Sequence, residues 1–525
     1  MTKSSESNRG AIAFKWWLFG LPFFLLLSSC DKFVESAESS RSPAITVYED
    51  TRLNSATGDE FSQVIMRSTL YPDAEPELLT AGYATTGKIQ ASEQRTGDID
   101  KGRAALIEND YVGCGIPERV FRQLISSNSV TELPDRNSRA QGLPFSTNVT
   151  NNSDGLSVVS NNCLTCHGTV LFGELHVGLG NEFLDFTGNA SVLAERAGAL
   201  VNGDDEIRAW ELYADRIAAI APYVKTKTVG VNPANNLTMA LIAHRQAHSN
   251  AWSDKPLLPM PPEDPPPVSV PPWWRMAKKP AMFSMGEGRL DHARIMMSAS
   301  MLCTDTLEEL EKIDAYAPDI RQYIASLAPP QWPFDINQAL IAKGEKLFEE
   351  SCSQCHGRYG ENAQYPARLV PIETVQTDSS LIDFAQGIGA YYIDWFNRSF
   401  YGETSIMSPG AGYVAPPLDG IWATAPFLHN GSVPTIRALL DSGSRPGIWH
   451  HSVKNASDPA SYDQNDMGWL HEELQPSESS EKTDSEIGKQ IYDTRLNGYS
   501  NEGHLFGDHL SNTERDALIE YLKTL

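Results

Sequence analysis

The sequence predicts a mainly α fold of two domains with long loops, the first enlarged by an insertion. Three observations predict it. The pattern Cys-x-x-Cys-His occurs twice, at Cys163-Leu164-Thr165-Cys166-His167 and at Cys352-Ser353-Gln354-Cys355-His356. Apolar residues recur at helical spacing just before the second copy and again over the last residues of the chain. Proline-rich runs at 259–267 and at Pro329-Pro330 interrupt the helical segments, because proline lacks the amide donor a helix interior needs.

Residues 1–30 read as a targeting segment. Lys3, Arg9 and Lys15 form a positive start ahead of the apolar stretch 16–27, which Gly20 and Pro22 interrupt. Roughly a dozen apolar residues suit a signal peptide, whereas a membrane-spanning helix needs about twenty. The segment ends Leu27-Ser28-Ser29-Cys30, which resembles a bacterial lipoprotein cleavage box. That resemblance implies that Cys30 becomes the lipidated first residue; simple cleavage near Ser29 is the alternative. The expectation is an exported lipoprotein, periplasmic or at the cell surface, anchored to a bacterial membrane and not spanning it.

Residues 31–99 are polar and rich in Ser, Glu and Thr, and read as a tether. The first domain, 100–330, shows helical spacing at 102–106, 117–124, 193–200, 206–220, 240–250, 288–303, 306–315 and 319–328, with a long insertion after the first motif. The second, 331–525, opens with an amphipathic helix at 339–350 that leads into Cys352. It closes at 511–525, where Ser511 and Glu514 have capping-box spacing ahead of Leu518, Ile519 and Leu522.

The Cys-x-x-Cys-His spacing carries the chemistry. Two thiols on one helical turn reach the two vinyl groups of a haem and form thioethers, and the histidine that follows meets the iron. A Cys-x-x-Cys pair alone also fits a zinc half-site or a redox dithiol, but those leave both histidines unexplained. Two covalently bound haem c groups are therefore expected, on Cys163 and Cys166 with His167, and on Cys352 and Cys355 with His356. For the second iron the first choice of sixth ligand is His504, with Met407 as alternative. His176, nine residues after His167, is the candidate to cover the first haem, and a plain loop histidine is the competing, favoured reading. His450 and His451 read as exposed turn residues.

Seven cysteines less Cys30 and the four of the motifs leave Cys114 and Cys303. Outside the cytoplasm the pair can form a disulfide, with two buried thiols as the alternative. The net charge of −25 argues against nucleic acid as a partner; it suits a basic electron-transfer protein, with solubility alone as the alternative account.

The run from Ala415 to Thr435, with its core Thr424-Ala425-Pro426-Phe427-Leu428-His429-Asn430-Gly431-Ser432, resembles a signature of the bacterial di-haem cytochrome c peroxidase superfamily. The ending from Tyr492 through His504 to Leu525, and the stretches 272–283 and 286–297, resemble its rubber-oxygenase branch. The resemblance implies two cytochrome c-like haem domains whose haems share an interface. One haem would have two protein ligands and pass electrons; the other, the N-terminal one, would bind peroxide or O₂. It marks His429 as near a haem, Trp273 or Trp274 as carriers between haems, and Phe283 as a wall of the distal pocket. Glu287, Arg289, Asp291 and His292 supply acid–base groups nearby in sequence. The chain departs from the rubber oxygenases in being shorter and in its lipoprotein box, and a tethered enzyme is poorly suited to a polymer substrate.

Three functions follow: a cytochrome c peroxidase-like oxidoreductase fed by a small cytochrome or cupredoxin and using H₂O₂ or O₂; a rubber-oxygenase-like haem dioxygenase acting on a hydrophobic substrate; or a non-catalytic di-haem electron carrier.

Overall fold

The computed structural model describes residues 46–53, 60–67, 82–83, 88–125, 130–453, 455–482 and 487–525. The targeting segment with Cys30 lies outside them. Within the expected tether, Thr46–Leu53 and Glu60–Arg67 pair antiparallel, and Gly82–Tyr83 adds a third strand.

Two helix crossings of the same kind recur along the chain. Asp98 caps Ile99–Glu108 by accepting from the Lys101 amide, and this helix crosses Ala317–Ser326 at Gly102. Any side chain at Gly102 would lie 1.9 Å from the Asp319 carbonyl oxygen and 2.9 Å from Tyr323 Cβ. Asn337 caps Gln338–Ser351, which crosses Asn512–Leu522 at Gly344, where a Cβ would lie 2.0 Å from the Ala517 carbonyl oxygen and 2.7 Å from Tyr521 Cβ. In both, the facing residues are one helical turn apart, at i and i+4. Only glycine lets the backbones approach this closely. Thr306 and Ser511 both form capping boxes, with Glu309 and Glu514.

The mainly α expectation is overturned. The described residues are 41% helical and 14% strand, with several small sheets. Thr147–Asn151 pairs with Ser157–Asn161, and Gly168–Leu171 with Glu174–Val177 directly after the first motif. Ile448–His451 lies between His471–Glu473 and Ile491–Asp493, and Gly288–Leu290 pairs with Ser405–Met407. These strands run three to five residues, too short for a period-two pattern to show, and several pair across long separations. The helical spacing at 288–303 likewise resolves into the strand Gly288–Leu290, the helix His292–Met296 and a 3₁₀ turn, Met297–Ser300. His450 and His451 are buried strand residues and not exposed turn residues.

Hydrophobic packing crosses position 330. One buried cluster joins Leu171, Leu179 and Trp274 to Phe348, Trp422 and Tyr521. Elsewhere the fully buried Arg245 guanidinium ties down 301–305. It donates to the carbonyls of Asn250 (2.8 Å), Thr304 (2.6 Å), Leu302 (3.2 Å) and Met301, and pairs with Asp305 at 3.0 Å. In that segment Cys303 is joined to Cys114 by a disulfide, Cα–Cα 5.6 Å.

The bond closes a loop of 189 residues, so its removal frees much conformational entropy in the unfolded chain. Replacing both cysteines with serine is expected to lower the unfolding free energy by about 2–4 kcal/mol. Denaturant titration of the haem-loaded protein reads this, and an unchanged midpoint at equal slope contradicts it.

Candidate haem-binding sites

The first motif is built on a tight turn. Asn162 accepts from the Leu164 amide and donates to the Phe145 carbonyl, both at 2.9 Å, so Cys163–Thr165 starts as a 3₁₀ turn. The His167 amide donates back to the Cys163 carbonyl at 3.1 Å. Cys163, Cys166 and His167 are thereby held on one turn. The His167 ring stacks on Trp273, centroids 4.7 Å apart and planes at 24°. The backbone enforces that stack: the Gly178 amide donates to the His167 carbonyl and the Trp273 amide to the Gly178 carbonyl, each at 2.8 Å. Burial holds the imidazole down near a pKa of about 4, against the Pro271 carbonyl, which favours the proton.

The second motif follows the helix Gln338–Ser351 without a break, and the His356 amide closes on the Cys352 carbonyl at 3.0 Å. His356 Nδ1 donates to the Pro416 carbonyl at 2.8 Å. That bond fixes the tautomer and turns Nε2 outward as a lone-pair donor, the usual support of a metal-binding histidine. Across from it stands His504, ring centroids 6.2 Å apart. Two metal–imidazole bonds of about 2 Å on opposite sides of one ion put the centroids about 6 Å apart. The pair therefore fits one iron between them. Burial, followed by the charges of His356 and Arg445, presses the His504 pKa down to about 3, so the ring is neutral and able to ligate.

The loop that carries His504 is pinned by Val375 and Arg445. His504 itself is left-handed (φ 49), and its amide donates to the Val375 carbonyl at 2.6 Å. Arg445 donates to the carbonyls of Asn501 (2.5 Å), Gly503 (2.7 Å) and His504 (3.4 Å). Pro416 and Arg445 escape a sequence reading, since each acts through a contact made only in the fold.

The thiols suit thioether chemistry. Burial raises Cys163 to a pKa of about 11 and Cys352 to about 12, whereas metal ligation and dithiol redox need accessible thiolate. Among the described residues no three His, Cys, Asp or Glu side chains gather as a zinc site requires.

The remaining candidates divide between the motifs. Met407 pairs in register with Gly288 and packs on a cluster that Cys163 also borders, whereas Cys355 borders the cluster of Tyr413 and Val375. The structure thus brings His504, and not Met407, to face His356. Phe283 also adjoins Gly288 and is 37% exposed. His429 stacks on Tyr413 at 4.0 Å and is held near a pKa of about 4 by burial. Trp274 donates to the Asp419 carbonyl at 2.8 Å. Consecutive tryptophans thus touch His167 on one side and, on the other, the 416–419 segment that anchors His356. His176 lies in the strand opposite Thr169.

Of the acid–base group, Asp291 is committed to structure: it caps His292–Met296 and pairs with Arg95 at 2.8 Å. Arg289 donates to the Gly286 carbonyl, and His292 reaches the Pro280 carbonyl at 3.3 Å. Glu287 is different. It is 8% exposed, and burial raises its pKa to about 7, against the opposing charges of Lys279 and Arg289.

A family model described as RoxA-like, cytochrome c-like matches residues 412–450, which hold Tyr413, Pro416, His429 and Arg445. A RoxA-like cytochrome c domain is thus present, and it implies covalently bound haem c and its iron. Two curated relatives come from Sinorhizobium fredii (strain NBRC 101917 / NGR234). The uncharacterized protein y4iM is 31% identical over 239 residues, covering 39% of this chain and 53% of its own length. The uncharacterized protein y4iJ is 31% identical over 295 residues, covering 43% and 46%. The chain spans about half the length of the curated relatives it matches.

Glu287 sets a pH dependence. Its folded pKa, about 7, lies above the ordinary 4.5, so the fold favours the protonated carboxyl. The stability it contributes is present below about pH 4.5 and is lost as pH rises through 7. Relative to Glu287→Gln, the wild type is expected to lose roughly 3 kcal/mol across that window. Denaturation of both proteins at acidic and alkaline pH measures it; a constant difference contradicts it.

Proposed function

We propose that the chain is an exported di-haem c-type cytochrome oxidoreductase, with one haem that passes electrons and one that binds peroxide or O₂. The second haem, on Cys352 and Cys355 between His356 and His504, is the electron-transfer centre. The first, on Cys163 and Cys166 with His167, is the reactive one. One observation carries the inequality. His356 is faced by a second neutral imidazole at 6.2 Å, whereas the ring packed on His167 is the indole of Trp273, and no second imidazole packs on it among the described residues.

Two strong ligands saturate an iron and keep it low-spin through oxidation and reduction, which suits electron transfer. An iron with one strong ligand retains a position for an oxidant. Haem supplies the redox chemistry when bound; the protein supplies ligand, orientation and environment. Two cytochrome c-like modules, divided near 330, account for the two Gly-centred helix crossings. Trp273 and Trp274 give a short aromatic connection between the motifs. An electron donor such as a small basic cytochrome or a cupredoxin would suit the charge of −25, and lipidation at Cys30 would hold the enzyme at a membrane. Peroxide reduction is preferred to attack on a hydrophobic polymer because an enzyme held at a membrane by a lipid is poorly suited to an extracellular polymer.

In the reduced protein one haem per chain is expected to bind CO while the other stays low-spin. Replacing Cys163 and Cys166 with serine should abolish CO binding and keep the low-spin spectrum; His504→Ala should create a second CO-binding haem. If neither wild-type haem binds CO or cyanide in any redox state, the protein is an electron carrier and the enzymatic proposal fails.

A further inference from the structure

We propose that Arg275 and Lys279 form the seat for the carboxylate (propionate) groups of the haem carried by Cys352 and Cys355. The inference rests on the reading that this motif carries a haem, and it extends that reading to residues on the far side of position 330. Arg275 sits in the 3₁₀ turn Trp273–Ala277 and is 7% exposed. Among the described residues its guanidinium hydrogen-bonds only two neutral oxygens, both at long range, the Asp419 carbonyl at 3.3 Å and Thr424 Oγ1 at 3.5 Å. One oxygen of the Asp419 carboxylate pairs with Lys278 at 2.6 Å; the other is buried without a hydrogen-bond partner, and the Asp419 charge acts on Arg275 without reaching ion-pair distance. No carboxylate lies within ion-pair distance of Arg275 among the described residues.

Lys279, half-buried, shows the same imbalance. Its ammonium meets the Phe283 carbonyl at 3.2 Å, and Glu287 is near without reaching ion-pair distance. The two cations lie close enough to oppose each other, and burial lowers Arg275 to a pKa of about 10 and Lys279 to about 8. Burying unpaired cations is costly, and bringing two of them together adds repulsion. An anion between them removes both penalties, and the planar fork of arginine is shaped for a carboxylate.

The position selects the haem. Asp419, which Arg275 touches, lies three residues beyond Pro416, the residue that holds His356 Nδ1. The positive charge of Arg275 reaches His356, Tyr359 and Tyr365. Haem bears two carboxylates at one edge, matching two cations. The site has a functional consequence, because a cation neutralising a haem carboxylate favours the added electron of the reduced iron.

The test is a redox titration of the full-length, haem-loaded protein, followed at the low-spin and the high-spin haem separately. Arg275→Gln is expected to shift the low-spin haem's reduction equilibrium at least tenfold toward the oxidised form, a fall of about 59 mV. Lys279→Gln should move it in the same direction, Arg275→Lys should restore most of it, and the high-spin haem should move less. An unmoved low-spin potential in both glutamine variants, each with two haems by mass, overturns the proposal, as does a shift confined to the other haem. Peptide mass showing wild-type Cys352 and Cys355 without haem would remove the underlying reading itself, which distinguishes the two failures.

Discussion

The gap between His356 and His504 is the constraint around which the C-terminal half is arranged. An imidazole is a good iron ligand only when its ring is neutral and its free nitrogen is aimed, and the fold enforces both conditions. On one side the Pro416 carbonyl takes the Nδ1 proton of His356. On the other, Val375 and Arg445 hold the backbone of a loop in which His504 adopts a left-handed conformation. Left-handed backbone is uncommon outside glycine, and it persists only where surrounding contacts over-determine it. Here those contacts are hydrogen bonds to the carbonyls on either side of the ring's own Cα.

The first motif is supported differently. Its histidine leans on an indole, and that indole is fixed by the hairpin that follows the motif. Trp273, Trp274 and Arg275 then run consecutively from His167 to the segment beside His356. One short turn therefore borders the environments of both motifs, and Trp274 is buried in the cluster that joins Leu171 to Phe348 and Trp422. A change at residues 273–275 should therefore be felt by both halves.

What was legible in the sequence was local. The Cys-x-x-Cys-His turns, the capping box at Ser511, and the helices that hold Gly102 and Gly344 depend on residues within a turn or two of each other. The two glycine crossings themselves were not visible, because nothing in a sequence shows that positions 102 and 319, or 344 and 517, meet. The same holds for the small sheets: Gly288–Leu290 finds its partner more than a hundred residues away. His450 and His451 misled because a polar pair beside Pro446 and Gly447 looks like a turn, while the pairing of Ile448–His451 with two other strands buries it. Pro416, Arg445 and Arg275 act through backbone atoms or through charge in a buried setting, and neither leaves a sequence signature. The resemblance around His429 pointed to the correct segment; the contacts inside it required coordinates.

The claim on which the account turns is that one iron is clasped by two imidazoles, His356 and His504. Near-infrared magnetic circular dichroism of the oxidised protein measures this most directly, because the charge-transfer band of a low-spin ferric haem reports its axial pair. The band of a bis-histidine haem is expected from one haem per chain. A thioether-to-iron band, or no low-spin haem at all, would contradict it.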